Sequence, residues 1–225
     1  MNLSSVEKFL VLAHHPQKGK FVVSDIQINY GIIGAILLDM SLEDRIKIEN
    51  GRLVLKGSIE LNDLIRSEIA LQISQSTKPR KIRYWMSKLA RKSKKYKWIL
   101  LNGLSDKRIV KIEEKKFLGL IPYKKTYLHE NLKRDSLIEE LRRDVFSHRK
   151  LNKENVVILS LIEACKMHKI LTSDRSELRE LRKLLKNLLI DSPIADVLDK
   201  TIKEIQTAIV AAVVASTVAS SAGSH

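Results

Sequence analysis

A single cysteine, Cys165, in 225 residues excludes an intramolecular disulfide framework and fits a reducing compartment. Four prolines and eight glycines form no linker, so the length, with 44% apolar residues, predicts one domain over residues 1–225 with a substantial core. The first twelve residues lack the basic start and unbroken apolar run of a cleavable signal, which predicts a cytoplasmic chain. Nor does any apolar run suit the ~20 residues of a membrane span. Ala208 to Ala222 is short and built of Ala, Val, Ser and Thr. It predicts a buried helix, begun by Ser192 and Pro193, with Ile194, Val197, Leu198, Ile202, Ile205 and Ile209 at helical spacing.

Catalytic signatures are scarce as well. There is no Walker loop, dinucleotide fingerprint or His-Glu-x-x-His, so neither an enzyme nor a cofactor is expected. Cys165 and His168 are three apart, but the thiol sits in an apolar run and reads as buried and inert. His14 and His15 precede Pro16 in an expected turn, and two adjacent imidazoles without a third ligand make a poor metal site.

Acidic residues are missing from Ile69 to Ser105, while ten Lys/Arg fall between Lys78 and Lys97 within a net charge of +15. Such a stretch predicts a polyanionic partner. Ile82, Trp85, Met86 and Leu89 recur at i, i+3, i+4 and i+7, which predicts a helix with that stripe buried. Arg80, Lys81, Arg83, Lys88, Arg91 and Lys92 are left outside or at the margins, and Lys94, Lys95 and Lys97 crowd an expected loop.

Tyr30 to Leu55 is the densest structural signal. Gly31 to Leu42 is apolar around most of a turn, predicting an enclosed helix in which Gly31 and Gly34 admit a neighbouring backbone. Ile46 and Ile48 alternate with charge, Asn50-Gly51 suits a tight turn, and Leu53 and Leu55 return. The unit repeats weakly. Trp98 to Leu104 predicts a helix closing near Gly103, and the segments Arg108 to Ile112 and Phe117 to Ile121 flank a polar turn at Glu113 to Lys116.

Further helices follow from periodicity. Leu137, Ile138, Leu141 and Val145 mark one over Asp135 to Arg149, and Val156 to Ile162 opens a second reaching about Ile170. Ser173 or Asp174 caps a third, with Leu178, Leu181, Leu185 and Leu188 inward and Arg175, Arg179, Arg182, Lys183 and Lys186 in water. The expected fold is mainly α, a helical bundle core with two small β-hairpins.

Several of these segments, in the same order, resemble the Golgi phosphoprotein 3 family. Gly31 to Ile48 is similar to its Gly-Leu-x-Gly-Ala-Leu-Leu helix and Gly-Arg-Ile-x-Leu hairpin, with Asp44 where the family usually has Gly. Leu3 to Leu12 resembles its first helix and Lys78 to Leu89 its Pro-x-x-x-x-x-Trp-Ile-x-x-Leu helix. Phe117 to Pro122 with Tyr127-Leu128 resembles its second hairpin, and Ala208 to Ala219 its last helix.

The resemblance implies helices arranged around a central bundle and a peripheral membrane protein that binds phosphatidylinositol 4-phosphate and gathers glycosyltransferases. Prokaryotic relatives without an assigned role share the domain. The family's headgroup pocket uses a Trp, an Arg and two basic residues, at positions that alignment equates with Ser24, Ile33, Ser136 and Glu139. The family's arginine-bearing amino-terminal tail also has no counterpart, since Leu3 already belongs to the first helix. These departures describe a divergent member, on the cytosolic face of the Golgi if eukaryotic. Lys133, Arg134, Arg142 and Arg143 offer a shifted phosphate site.

The expected function is therefore reversible docking on anionic membrane lipid through a basic face, in the manner of an adaptor with client membrane proteins. Two alternatives stand beside it. One is a winged-helix-like nucleic-acid-binding protein, suggested by Lys107, Arg108, Lys111, Lys115, Lys116, Lys124 and Lys125 around the second hairpin, against a scarcity of aromatics for stacking. The other is a protein adaptor without lipid binding.

Overall fold

A computed structural model of the chain describes residues 3–57, 63–118, 120–147, 152–191, 204–205, 207–211 and 214–215. It is mainly α, as expected, with two small antiparallel sheets. Helix α1 (Ser5–Ala13) begins at a capping box in which the Ser4 hydroxyl accepts from the Glu7 N–H and the Glu7 carboxylate accepts from the Ser4 N–H. All of its residues are buried. It packs on α2 (Asp25–Leu42), which is itself buried from Gly31 to Met40.

The glycines of α2 admit side chains rather than a backbone. A Cβ on Gly31 would lie 2.2 Å from Cζ of Phe9 in α1. One on Gly34 would lie 2.9 Å from Cδ1 of Ile209, in the carboxyl-terminal segment, where 207–211 are helical. Ile205, Ala208 and Ile209 are buried there, but Thr207, Val210, Val214 and Ala215 are exposed, so the segment buries one face rather than being enclosed as expected. The expected start at Ser192-Pro193 and the repeats at Ile194, Val197, Leu198 and Ile202 lie outside the described residues.

The first hairpin joins β1 (Ile46–Glu49) to β2 (Arg52–Leu55) through Asn50 and Gly51, both at positive φ, with Glu49 opposite Arg52. That is the two-residue turn whose twist matches the strands. A short β3 (Arg80–Lys81) adds a third strand. Between them lies α3 (Leu64–Ser74), which the sequence reading does not single out although Asp63 caps it and Ile65, Ile69 and Ile73 line its buried side.

Helix α4 (Ile82–Ala90) buries the expected stripe, with Ile82, Trp85, Met86 and Leu89 at 3% exposure or less. Helix α5 (Ser93–Asp106) corrects two expectations: Lys94, Lys95 and Lys97 are helical rather than in a loop, and the helix runs past Gly103. It stops where Arg108 turns to φ 57, as Ile109 N–H donates to Leu104 O and Arg108 N–H to Ser105 O. Helix α2 stops the same way at Asp44, φ 54, so a family glycine there matches a left-handed position.

The second hairpin is longer than expected and its turn is displaced. Strands β4 (Val110–Phe117) and β5 (Ile121–Leu128) pair from Val110 opposite Leu128 to Phe117 opposite Ile121. Glu113 to Lys116 therefore lies within a strand, and the chain reverses after Phe117. Helix α6 (Leu132–Phe146) follows, buried along Leu137, Leu141 and Val145. Helix α7 (Lys153–Ala164) ends earlier than Ile170, because Lys166 adopts φ 55 and Met167 N–H closes back to Ile162 O. A 3-10 turn (His168–Ile170) leads to α8 (Arg175–Asp191), capped by Asp174, whose Oδ1 accepts from the Ser176 and Glu177 N–H groups. Leu181 and Leu185 are fully buried and Leu178 half-buried, while Arg175, Arg179, Arg182 and Lys183 face solvent. The side chains of Lys186 and Leu188 lie outside the described set.

Candidate functional site

The expected basic residues do not form one field. Around α4 and α5, Lys81, Arg83, Arg91 and Lys94 are exposed, and among the described residues none has a carboxylate within ion-pair range. Arg80 is half-buried, its guanidinium 5.0 Å from the centre of the Tyr84 ring. Lys92 and Lys95 are exposed but committed: their Nζ atoms lie 2.7 and 2.9 Å from the two carboxylate oxygens of Glu68. Hydrogen bonds from both lysines hold the Glu68 carboxyl below its usual range. The stretch without acids in sequence is thus not without them in space, since α3 brings Glu68 across.

Lys97 departs from the expected solvent position. Its side chain is 15% exposed, with Nζ 3.4 Å from Asp25 Oδ1 and 5.8 Å from the Phe21 ring centre. The α6 set divides too. Lys133 and Arg143 are exposed, whereas Arg142 joins α6 to α8: Nη2 lies 2.5 Å from Glu177 Oε1 and Nη1 donates to the Leu171 carbonyl. Arg134 is thus buried and Arg142 is engaged by Glu177, so neither is a free surface cation.

Among the described recesses, none is lined by more than one of Ser24, Ile33, Ser136 and Glu139. Ser24 caps α2, and Ile33 is fully buried. Ser136 and Glu139 line two different recesses, with Lys133 and His129 in one and Arg143 and Phe146 in the other. Beside the amino end of α2 stands Lys97 of α5.

A surface the sequence reading missed lies at the tip of the second hairpin. Phe117, Leu118, Leu120 and Ile121 are 59%, 81%, 83% and 62% exposed. Leu118 sits at φ 50, which aids the reversal. Five lysines and two glutamates line the strands below. Lys111 and Lys115 pair with Glu113, at 2.9 and 3.3 Å, and Lys124 with Glu114 at 3.2 Å, leaving a positive excess behind an apolar end. The signal was the uncharged run from Phe117 to Pro122 after Lys115-Lys116, which equally suits a buried strand.

The base of this hairpin is held to α1. His14 is fully buried, with Nε2 3.0 Å from Thr126 Oγ1 and Nδ1 2.7 Å from Leu10 O. Burial lowers its pKa to about 4. His14 is thus a packed core group at the end of α1. Cys165 is likewise buried, its thiol pushed up to about 12 by desolvation. His168 Nε2 pairs with Glu163, so the thiol and imidazole are not coupled. Among the described residues no His, Cys, Asp or Glu cluster suits a metal ion, and no helix is long and apolar enough to cross a membrane.

No curated protein matches this chain. A family model does, over residues 6–205, spanning every described element from α1 to α8 and the resemblance read in Gly31 to Ile48, Lys78 to Leu89 and Phe117 to Pro122. On that match, the chain belongs to the Golgi phosphoprotein 3 (GPP34) family.

Proposed function

We propose that this protein docks reversibly on anionic membranes as an adaptor, without catalysis. The second hairpin enters the interface, and the unpaired cations of α4 and α5 add electrostatic attraction. The observation that carries this reading is the exposed tip of Phe117, Leu118, Leu120 and Ile121 above lysine-bearing strands. Four large apolar side chains in water favour transfer to an apolar phase at ~25 cal/mol per Å² buried. Each lysine near an anionic surface adds ~1 kcal/mol. Duplex nucleic acid would use the lysines and leave the largely aliphatic tip of Leu118, Leu120 and Ile121 without a partner, so membrane is the better fit. Family membership supports the same class of partner. Ser24 is engaged in capping and Ile33 is buried, which supports weak discrimination among headgroups of equal charge, phosphatidylinositol 4-phosphate included.

Co-sedimentation with phosphatidylcholine vesicles, with and without phosphatidylserine, tests this. Binding is expected only to the anionic vesicles, and should weaken as salt rises. The pair Leu118→Asp and Leu120→Asp should abolish it at unchanged melting temperature. Equal binding to neutral vesicles overturns the electrostatic part, and tighter binding to duplex DNA than to vesicles overturns the choice of partner.

A further inference from the structure

The first sheet has two outer edges, β3 and β1. The β3 edge is guarded. It is two residues long, both cationic, and runs straight into α4 at Ile82, so a second copy of Arg80-Lys81 would meet it with like charge. By contrast, β1 carries four residues, with no proline and no bulge in its register with β2. Its one lysine, a common guard of an exposed edge, is neutralised within the strand, because Lys47 Nζ pairs with Glu49 Oε1.

The phase of the hairpin decides which backbone groups this edge presents. In a two-residue hairpin the residues flanking the turn, here Glu49 and Arg52, exchange hydrogen bonds, and the exchange recurs at Lys47 opposite Val54. Lys56 N–H donates to Arg45 O at 2.8 Å, which continues the same phase. Ile48, opposite Leu53, therefore turns its N–H and C=O away from β2. Among the described residues neither group has a hydrogen-bond partner. The half-buried Ile48 side chain holds the strand to the core while these outer backbone groups stay unpaired.

The neighbouring side chains supply a register. Lys47 and Glu49 share the outer face of the sheet, 42% and 50% exposed, and flank Ile48 with opposite charge. Antiparallel pairing of two such strands about a two-fold axis at Ile48 sets each lysine opposite a glutamate, in the non-hydrogen-bonded positions where facing side chains come closest. Centring the axis on Lys47 or on Glu49 opposes like charges instead.

We infer that the outer edge of β1 joins the same edge of a second copy of this chain, Ile48 against Ile48, with two reciprocal backbone hydrogen bonds at the axis and Lys47 of each copy opposite Glu49 of the other. The first sheets of the two copies then run on as one. A single short strand is small against the ~1,200 Å² of total surface that stable interfaces bury, so the dimer is weak and concentration-dependent. It uses none of the hairpin residues on which membrane docking depends.

Sedimentation velocity of the full-length protein over a rising concentration series, in physiological salt, is the test. Reversible dimer formation is expected. Lys47→Glu and Glu49→Lys each turn two pairs of opposite charge into two pairs of like charge, and should weaken dimerisation about tenfold or more at unchanged melting temperature. An equimolar mixture of the two variants restores both opposite-charge pairs, as does the double variant Lys47→Glu with Glu49→Lys, and each should recover the dimer. Crosslinking reads the register, since Cys165 is buried and an added cysteine is the accessible one. Lys47→Cys mixed with Glu49→Cys should oxidise to a disulfide-linked dimer faster than either variant alone. Leu118→Asp with Leu120→Asp removes the apolar tip and should leave the dimer intact; loss of the dimer in that variant would place the contact at the second hairpin and overturn the inference. A monomer at every concentration, or a dimer indifferent to the charge variants, overturns it as well.

Discussion

His14 and Thr126 are 112 residues apart in the chain and 3.0 Å apart in the fold, Nε2 to Oγ1. The Leu10 carbonyl can only accept, so Nδ1–H of His14 donates to it and Nε2 accepts the Thr126 hydroxyl proton. This neutral ring ties the end of α1 to the strand that carries the apolar tip.

Acid should loosen that tie. Burial sets the folded-state pKa of His14 at about 4, below its ordinary 6.5. The stabilisation is therefore complete above pH 6.5 and disappears as pH falls toward 4, a loss of about 3 kcal/mol. Urea unfolding of the protein and of His14→Gln across this range checks it. The stability gap between them should close on acidification, and parallel curves would assign the pH dependence to other groups.

The basic surface should separate into cations that dock and cations that hold the fold. Arg91→Glu with Lys94→Glu changes exposed residues without ion pairs among the described residues. Reversing two surface cations should weaken anionic-vesicle binding by at least about 2 kcal/mol, roughly thirtyfold or more, at constant melting temperature. Lys92→Glu with Lys95→Glu instead sets two carboxylates against Glu68, now 2.7 and 2.9 Å from their ammonium groups. That pair should cost about 0.5–1 kcal/mol of stability as well. Identical melting temperatures for the two double variants would show that Glu68 does no structural work.

Two glycines should respond in opposite directions. Gly31→Ala drives a methyl into the fully buried Phe9 ring, 2.2 Å from Cζ, and should destabilise by about 1–3 kcal/mol or more. Gly103→Ala lies inside α5 with nothing within 4 Å of its Cβ, and should stabilise by about 0.5–1 kcal/mol. Chemical denaturation midpoints distinguish the two, and a stabilising Gly31→Ala would refute the packing of α1 on α2.

Trp85 belongs to the core. At 1% exposure in α4, its truncation to alanine should cost about 3–5 kcal/mol of folding free energy. Vesicle binding by the folded fraction should persist. A tolerated Trp85→Ala that abolishes binding would mean that the two faces of α4 had been assigned in reverse.

Features carried by near neighbours in sequence were legible from the chain alone. Asn50-Gly51 specified its two-residue turn because both positions must take positive φ, and Ile82, Trp85, Met86 and Leu89 specified a buried stripe because helical period decides which side chains share a face. The order of such segments was enough to identify the family. What the sequence could not decide were pairings across the fold. Only packing brought Glu68 of α3 to Lys92 and Lys95, buried Arg134, and turned Arg142 into a clamp on Glu177. Charge counted along a chain says nothing about which acid arrives from another helix. Strand register was equally open. Glu113 to Lys116 reads as a polar turn, yet continuing the ladder to Phe117 opposite Ile121 pairs more backbone groups and pushes an apolar turn into solvent. That register, which no local period encodes, created the surface proposed for membrane docking.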